Sequence, residues 1–96
     1  MKIIARPSCT GKTKELIEYA IETNIPILCL TQSKAKSITE KAQAYFNSVV
    51  PICTLKDIVN TVIPAVLIDD AEKALNELLM DLSDYETCVA GLSITI

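Results

Sequence analysis

The chain has 96 residues, of which 50% are hydrophobic and only 4% aromatic, and its net charge is −3. A chain of this length forms one small domain, and its composition predicts an aliphatic core. Its net negative charge gives no electrostatic reason to expect binding along a long stretch of nucleic-acid backbone. The apolar residues before Arg6 are too few for a secretory signal. Every other apolar run falls well short of the roughly 18 residues of a membrane span. We therefore expect a cytoplasmic protein without a membrane partner.

The first half of the chain alternates apolar runs with helical periodicity. Residues 2–5 predict a first strand, and a helical pattern follows from Lys12 until Asn24 and Pro26 end it. Residues 27–30 predict a second buried strand. A second helix is expected to begin near Ser33 and to run through Phe46.

The second half continues the same alternation. Residues 49–53 predict a third strand, and residues 54–57 resemble a capping box that begins a short helix ending by Ile63. Residues 66–69 predict a fourth strand, and residues 71–82 an amphipathic helix whose apolar positions include Leu79. Residues 88–95 predict a closing strand.

This strict alternation of strands and helices predicts an α/β fold. Because the strands are continuous apolar runs, we expect a parallel sheet of about five strands in a three-layer α/β/α arrangement, formed by residues 1–96 as one domain. The strand that carries Ile3 and Ile4 is expected to be central. Gly11 and Thr13 should then lie at its carboxyl end, beside Asp69.

The four cysteines are scattered along the chain and histidine is absent, which argues against a zinc site because such a site needs several clustered ligands. Cys29, Cys53 and Cys88 each lie in an apolar, strand-like run. We expect these thiols to pack as small hydrophobes. Cys9 has a different setting, in the turn between the first strand and the first helix.

That turn carries the pattern of a phosphate-binding loop. Its Gly11 lets the backbone approach a phosphate at the start of a helix, where free amides and the helix dipole favour an anion. Lys12 would reach the β- and γ-phosphates, and the Thr13 hydroxyl would coordinate Mg²⁺. The expected nucleotide-binding residues are Ser8, Cys9, Thr10, Gly11, Lys12 and Thr13.

Two departures from the full glycine-rich pattern stand in this loop. Arg6 takes the place of its first glycine, and Cys9 takes a position that glycine often holds. Because residues with a Cβ adopt positive φ only at a cost, strain is expected at both positions.

The fourth predicted strand ends in two acids. Asp69 is expected to hold Mg²⁺ as a hard oxygen ligand. Asp70 resembles, by its position, the Glu with which many P-loop ATPases polarise the attacking water, and this resemblance implies the same role for Asp70. The alternative is that both acids end the strand and cap the helix that begins at Ala71, and the two interpretations are compatible. Glu72 is a weaker candidate base.

Taken together, the two segments resemble the Walker A and Walker B elements of P-loop NTPases. Residues 69–72 are similar to the Asp-Glu-Ala-x box of helicase-type ATPases, and residues 91–95 to the Ser-Ala-Thr strand end of superfamily 2 helicases. Residues 30–34 lie where those enzymes carry a nucleic-acid-contacting loop. The chain thus resembles a minimal RecA-like domain of the ASCE type, with a degenerate Walker A element and a P-loop NTPase-like fold.

The resemblance implies Mg²⁺ and ATP as cofactors, with Lys12 and Asp70 as catalytic residues. Arg6 is the only arginine, so no second one is available as an arginine finger, and hydrolysis is expected to be slow or to need a partner. That partner would be a second copy of the chain or another ATPase or helicase subunit. Two alternatives stay open, namely an interaction or regulatory module without turnover and one half of a nucleic-acid-stimulated ATPase.

The remaining basic residues give only a weak case for nucleic-acid binding. Because Lys34, Lys36, Lys41 and Lys56 are spread out in an acidic chain, we expect them to form solvated helix faces.

Overall fold

A computed structural model describes residues 1–78 and 80–96. In these ranges, no helix has both the length and the apolar character needed to cross a bilayer. The elements in chain order are β1 Lys2–Arg6, α1 Lys12–Thr23, β2 Ile27–Leu28, α2 Gln32–Phe46, β3 Ile52–Cys53, α3 Leu55–Asn60, β4 Ala65–Ile68, α4 Ala71–Glu77, a 3-10 turn Leu82–Tyr85 and β5 Cys88–Thr95.

The five strands form one parallel sheet in the order β1-β5-β4-β2-β3. This confirms the α/β class and the predicted sheet. The prediction of a central first strand is wrong, because β1 lies at the edge and the last strand, β5, separates it from β4. Ile4 is buried whereas Ile3 is 60% exposed, so β1 packs one face only. Apolar periodicity cannot distinguish such an edge strand from a central one.

Two apolar clusters cover the two faces of the sheet. One joins α1 and α2 to the sheet through residues such as Leu16, Ile17 and Ile38. The other joins α3 and α4 to the opposite face through Ile58 and Ala71. Neighbouring residues of one strand belong to different clusters because successive side chains of a strand point to opposite faces. Helices therefore lie on both sides of the sheet.

Several predicted boundaries differ from those of the structure. The second and third strands have two residues each. The helix after β4 ends at Glu77 instead of reaching residue 82, because Leu78 leaves helical geometry with φ −77° and ψ 116°. A separate 3-10 turn then begins at Leu82, capped by the Asp81 side chain; Leu79 itself lies outside the described residues. The predicted capping box at residues 54–57 is confirmed.

The cysteines follow the prediction in part. Cys29 and Cys53 are buried, as expected of small hydrophobes. The prediction for Cys88 is wrong, because this residue begins β5 and is exposed. Cys9 is exposed as well.

Candidate functional site

Polar side chains from four elements meet at the carboxyl edge of the sheet. Lys12 and Thr13 begin α1 just after β1, and Asp69 and Asp70 follow β4. Ser93 lies near the end of β5, the strand between β1 and β4. Because all strands are parallel, their carboxyl ends share one edge, and this brings residues more than fifty positions apart into contact. We call this group, together with Lys34 of α2, the candidate site.

The loop of residues 7–11 connects β1 to α1 through two left-handed residues. Gly11 has φ +83° and Cys9 has φ +60°. The predicted strain is therefore located at Cys9, since left-handed backbone is costly for a residue with a Cβ. Arg6 avoids it, because it remains in β1 and its guanidinium forms an ion pair with Glu15 at 2.8 Å. The Thr10 hydroxyl donates to the Pro7 carbonyl at 2.6 Å and closes the turn.

Lys12 is buried and forms an ion pair with Asp70. The hydrogen bond from its ammonium group to Asp70 raises the pKa of Lys12 above its ordinary value. Burial alone would raise the pKa of the Asp70 carboxyl, but the hydrogen bond from Lys12 and the charge of Lys34 outweigh it, and that pKa is lowered. Both groups are therefore charged at neutral pH.

Asp69 has the most enclosed carboxylate of the site, with a side chain that is 0% exposed. The Thr13 hydroxyl donates to its two oxygens at 3.2 and 3.0 Å. Ser93 donates to Oδ1 at 2.5 Å and accepts a hydrogen bond from the Asp70 amide at 2.8 Å. Ser93 thereby holds both acids in place from the intervening strand.

Lys34 is the member of the site that the sequence did not reveal. Its Nζ lies 2.6 Å from Asp69 Oδ2 and 3.5 Å from Asp70 Oδ2. The expectation of a solvated helix face is therefore wrong for Lys34, although it is right for Lys36 and Lys56, which are exposed. The only available signal was position: Thr31 caps α2 at the carboxyl end of β2, so the first turn of α2 lies at the same edge as Asp69.

Electrostatics keep the Lys34 ammonium charged. Burial lowers the pKa of this group, but the hydrogen bond and the charge of Asp69, with a smaller contribution from Asp70, outweigh the effect and raise it. Two lysines and two aspartates thus form a compact network in which each positive charge has a negative partner.

Two cavities adjoin this network. A cavity of about 230 Å³ is lined by Lys34, Asp69 and Asp70 together with Leu28, Leu30, Thr31, Lys73, Ala74 and Glu77. Another of about 330 Å³ follows the loop and is lined by residues 9–14 with Lys41 and Tyr45. Lys12 lines the second cavity and Asp70 the first, so their ion pair lies between two spaces that a ligand could enter.

The donors of the site fit a hard divalent cation. Thr13, Asp69 and Asp70 offer a hydroxyl and two carboxylates, the oxygen ligands that Mg²⁺ prefers. The Lys34 ammonium on Asp69 is itself a stand-in cation at this carboxylate. No group of three or more His, Cys, Asp or Glu side chains that could hold a metal ion is found in residues 1–78 and 80–96.

Comparisons with known proteins give no relative for this chain: no protein-family model matches it, and no curated protein or solved structure matches it significantly. The protein belongs to the α/β class, with a parallel five-stranded sheet and a network of two lysines and two aspartates at its carboxyl edge.

Proposed function

We propose that the chain is a P-loop-type domain that binds Mg²⁺ and ATP and hydrolyses the nucleotide slowly or with the help of a partner. The observation that carries this proposal is the meeting of two segments. Lys12 and Thr13, which follow a glycine-containing loop, contact Asp70 and Asp69 respectively at the end of a buried strand. The fold alone would not support the proposal, since one fold serves many functions.

The charges of the site suggest how a nucleotide would be held. A polyphosphate at the 7–11 loop offers Lys12 an anion in place of Asp70, and charge-assisted contacts of this kind are strong. The first-turn amides of α1 have no partner within the helix and can donate to the same phosphates. Thr13 and Asp69 would hold Mg²⁺, which neutralises charge on the phosphate oxygens when bound.

Asp70 gains a role once Lys12 contacts phosphate. Its carboxylate is then released from its closest ion pair and can accept a proton from, or orient, an attacking water. Arg6, the sole arginine, is paired with Glu15. Without an arginine to stabilise charge on the transferred phosphoryl group, hydrolysis would be slow, on the order of 10⁻⁴ per second.

A second candidate function is nucleotide-responsive binding without turnover. It is favoured by the closed network of the site, in which both aspartates already have lysine partners, and by the left-handed Cys9 in the loop. In this case the chain would act as an interaction or regulatory module. Half of a nucleic-acid-stimulated ATPase remains a prediction from the resemblance alone.

Calorimetric titration with ATP, with and without Mg²⁺, tests the binding step. Lys12→Ala should weaken Mg²⁺-dependent ATP binding by about 2–3 kcal/mol, because a charge-assisted phosphate contact is lost. Lys36→Ala is the matched control, since that side chain is 79% exposed on α2 and should leave affinity unchanged. Equal ATP affinity in the parent and Lys12→Ala would show that the loop is not the site. GTP titrations in parallel identify the preferred base.

Single-turnover hydrolysis assays test the catalytic step. Asp70→Asn should lower the hydrolysis rate by about 100-fold or more, the usual contribution of a positioned base, while ATP binding survives. Asp69→Asn should weaken Mg²⁺-dependent binding as well. Turnover of several ATP per second by the purified monomer would contradict the need for a partner. ATP binding with no hydrolysis under any condition would favour the second candidate function.

A further inference from the structure

The Lys34 ammonium contacts Oδ2 of Asp69, the oxygen that Ser93 does not contact and that also accepts from the Thr13 hydroxyl at 3.0 Å. Ser93 donates to Oδ1, whereas Lys34 donates to Oδ2 from 2.6 Å. Lys34 belongs to α2, a different element from those that carry the predicted metal ligands. Its side chain is 30% exposed and lines the cavity beside Asp69, so the ammonium has a route away from the carboxylate.

We propose that Lys34 is an internal competitor of the divalent cation. Its ammonium satisfies the charge of Asp69 in the absence of metal and must leave before a metal ion binds the same carboxylate. The inference rests on the proposed function in one respect, namely the assignment of Asp69 as a metal ligand.

Two physical constraints lead to this exchange. A fully buried carboxylate is costly unless hydrogen bonds and an opposite charge compensate it, and the Lys34 ammonium is the cation that lies on Asp69 in this structure. A lysine ammonium and a divalent ion a few ångströms apart repel each other, so they cannot share Asp69 at low cost. Metal and Lys34 therefore alternate at this carboxylate.

The exchange couples metal binding to nucleotide binding. A metal ion that binds without nucleotide must displace the Lys34 ammonium from Asp69 into the adjoining cavity. The displaced ammonium has then lost its closest partner, which makes metal binding less favourable. When phosphate is present, the released ammonium has an anion nearby, as does Lys12. Each ligand thus lowers the cost of binding the other, and thermodynamic linkage makes this effect reciprocal. Metal should bind weakly alone and much more tightly together with nucleotide.

The chain offers a close control for this role. Lys36 lies two residues further along α2, is 79% exposed, and has Glu40 as its nearest acid at 4.0 Å. Lys36→Met removes the same charge from the same helix without touching Asp69. Any effect of Lys34→Met beyond that of Lys36→Met is therefore local to the carboxylate.

Titration with Mn²⁺ alone, followed by electron paramagnetic resonance of the free ion, tests the proposal on the full chain without nucleotide. Lys34→Met and Lys34→Gln should bind one Mn²⁺ at least about tenfold more tightly than the parent, because a unit charge beside a divalent ion costs this much even with strong solvent screening. Lys36→Met should match the parent. Adding Asp69→Asn to Lys34→Met should remove the new site, and Mg²⁺ should compete for it.

Unchanged Mn²⁺ affinity in both Lys34 variants would overturn the proposal. A variant that is unfolded without metal is also informative, because Asp69 has then lost its partner. Recovery of its circular dichroism spectrum on addition of Mg²⁺ would support the exchange, and failure to recover would contradict it.

The proposed function fails in a different way. If the Lys34 variants gain a Mn²⁺ site but no protein binds ATP, the competition is supported and the nucleotide proposal is lost. If the parent binds Mg²⁺ and ATP while the Lys34 variants gain no metal affinity, the nucleotide proposal is supported and the competition by Lys34 is lost.

Discussion

At the scale of single residues, Ser93 joins the two acids of the candidate site. Its hydroxyl donates to Asp69 Oδ1 at 2.5 Å and accepts from the Asp70 amide at 2.8 Å, and the residue is 0% exposed. The sequence singled out this position only through a short resemblance to a helicase strand end. In the structure, Ser93 holds Asp69 and Asp70 against β5, the strand that lies between β1 and β4.

Ser93→Ala should lower the free energy of unfolding by about 1–3 kcal/mol, because it leaves the buried Asp69 carboxylate and the partly buried Asp70 amide each short of a partner. Ser33→Ala is the control, since Ser33 is exposed in the first turn of α2 and should stay within about 0.5 kcal/mol of the parent. Urea denaturation of the three proteins measures the difference. A Ser93→Ala protein as stable as the Ser33→Ala protein would contradict the linking role.

Lys34 shows why part of the site was beyond sequence reasoning. The expectation of a solvated face came from α2 considered by itself, whereas the partner of Lys34 is 35 residues away, at the end of β4. Lys12, Thr13, Asp69 and Asp70 could be grouped in advance because each lies directly at the end of a predicted strand or the start of a predicted helix. Lys34 is in the first turn of its helix, and only the sheet order places that turn beside the acids.

At the scale of elements, β5 is the strand that organises the sheet. It pairs with β1 on one side and with β4 on the other. The sequence predicted the bounds of β5 and the end of α2 well, because long periodic segments carry their own signal. It could not predict that β5 lies between two earlier strands, because strand order depends on packing between segments far apart in the chain.

Gly91 allows this close approach of strands. A Cβ on Gly91 would lie 2.9 Å from Cδ2 of the fully buried Leu67 and 3.2 Å from the Lys2 carbonyl oxygen. Gly91→Ala should therefore lower the free energy of unfolding by about 1–3 kcal/mol through overpacking. Cys88→Ala, at an exposed position of the same strand, should stay within about 0.5 kcal/mol of the parent.

Thermal and urea denaturation provide the measurement for Gly91→Ala. Amide hydrogen exchange adds a local test, since weakened pairing should speed exchange in β1 and β5 relative to α2. Full stability of Gly91→Ala would mean that the strands separate easily to admit a methyl group.

At the scale of the whole molecule, the first and last strands hold each other in the sheet. β1 pairs with β5 from Lys2 opposite Gly91 to Arg6 opposite Thr95. The candidate site depends on this long-range pairing, because the loop follows β1 and Ser93 belongs to β5. Folding must therefore bring the two ends of the described chain together, a topology that favours slow folding.

The reactivity of the cysteines can show whether the two faces of the sheet unfold together. Burial raises the pKa of Cys29 to about 11 and that of Cys53 to about 12, whereas Cys9 and Cys88 are exposed. A thiol reagent at pH 8 should modify the exposed Cys9 and Cys88 rapidly. It should modify Cys29 and Cys53 only after unfolding, because the thiolate is the reactive form and burial keeps these two thiols protonated and out of reach. If both faces open together, Cys29 and Cys53 should react at one common rate.

The same thiols set a direction for stability against pH. Their folded pKa values are raised, so the stability that the two protonated thiols contribute is complete below the ordinary pKa of 9.0. This stability declines as the pH rises toward about 11 for Cys29 and about 12 for Cys53.

The labelling experiment at pH 8 also tests whether the two faces of the sheet open together. Separate reaction rates for Cys29 and Cys53, measured by mass spectrometry, would indicate that the two faces open independently.

The pairing of Ile96 with Arg6 has a practical consequence for labelling. The Ile96 amide donates to the Arg6 carbonyl at 3.1 Å, so this residue lies where β1 gives way to the 7–11 loop. Met1 precedes β1 at the opposite end of this strand. Because a strand rises roughly 3.3 Å per residue, the five residues of β1 separate Met1 from the 7–11 loop. A fluorophore attached to the side chain of residue 96 would therefore lie at the carboxyl edge of the sheet, the edge that carries the candidate site. The same fluorophore at residue 1 would lie at the amino end of β1, so the pair of labelled proteins separates local from global reporting of ligand binding.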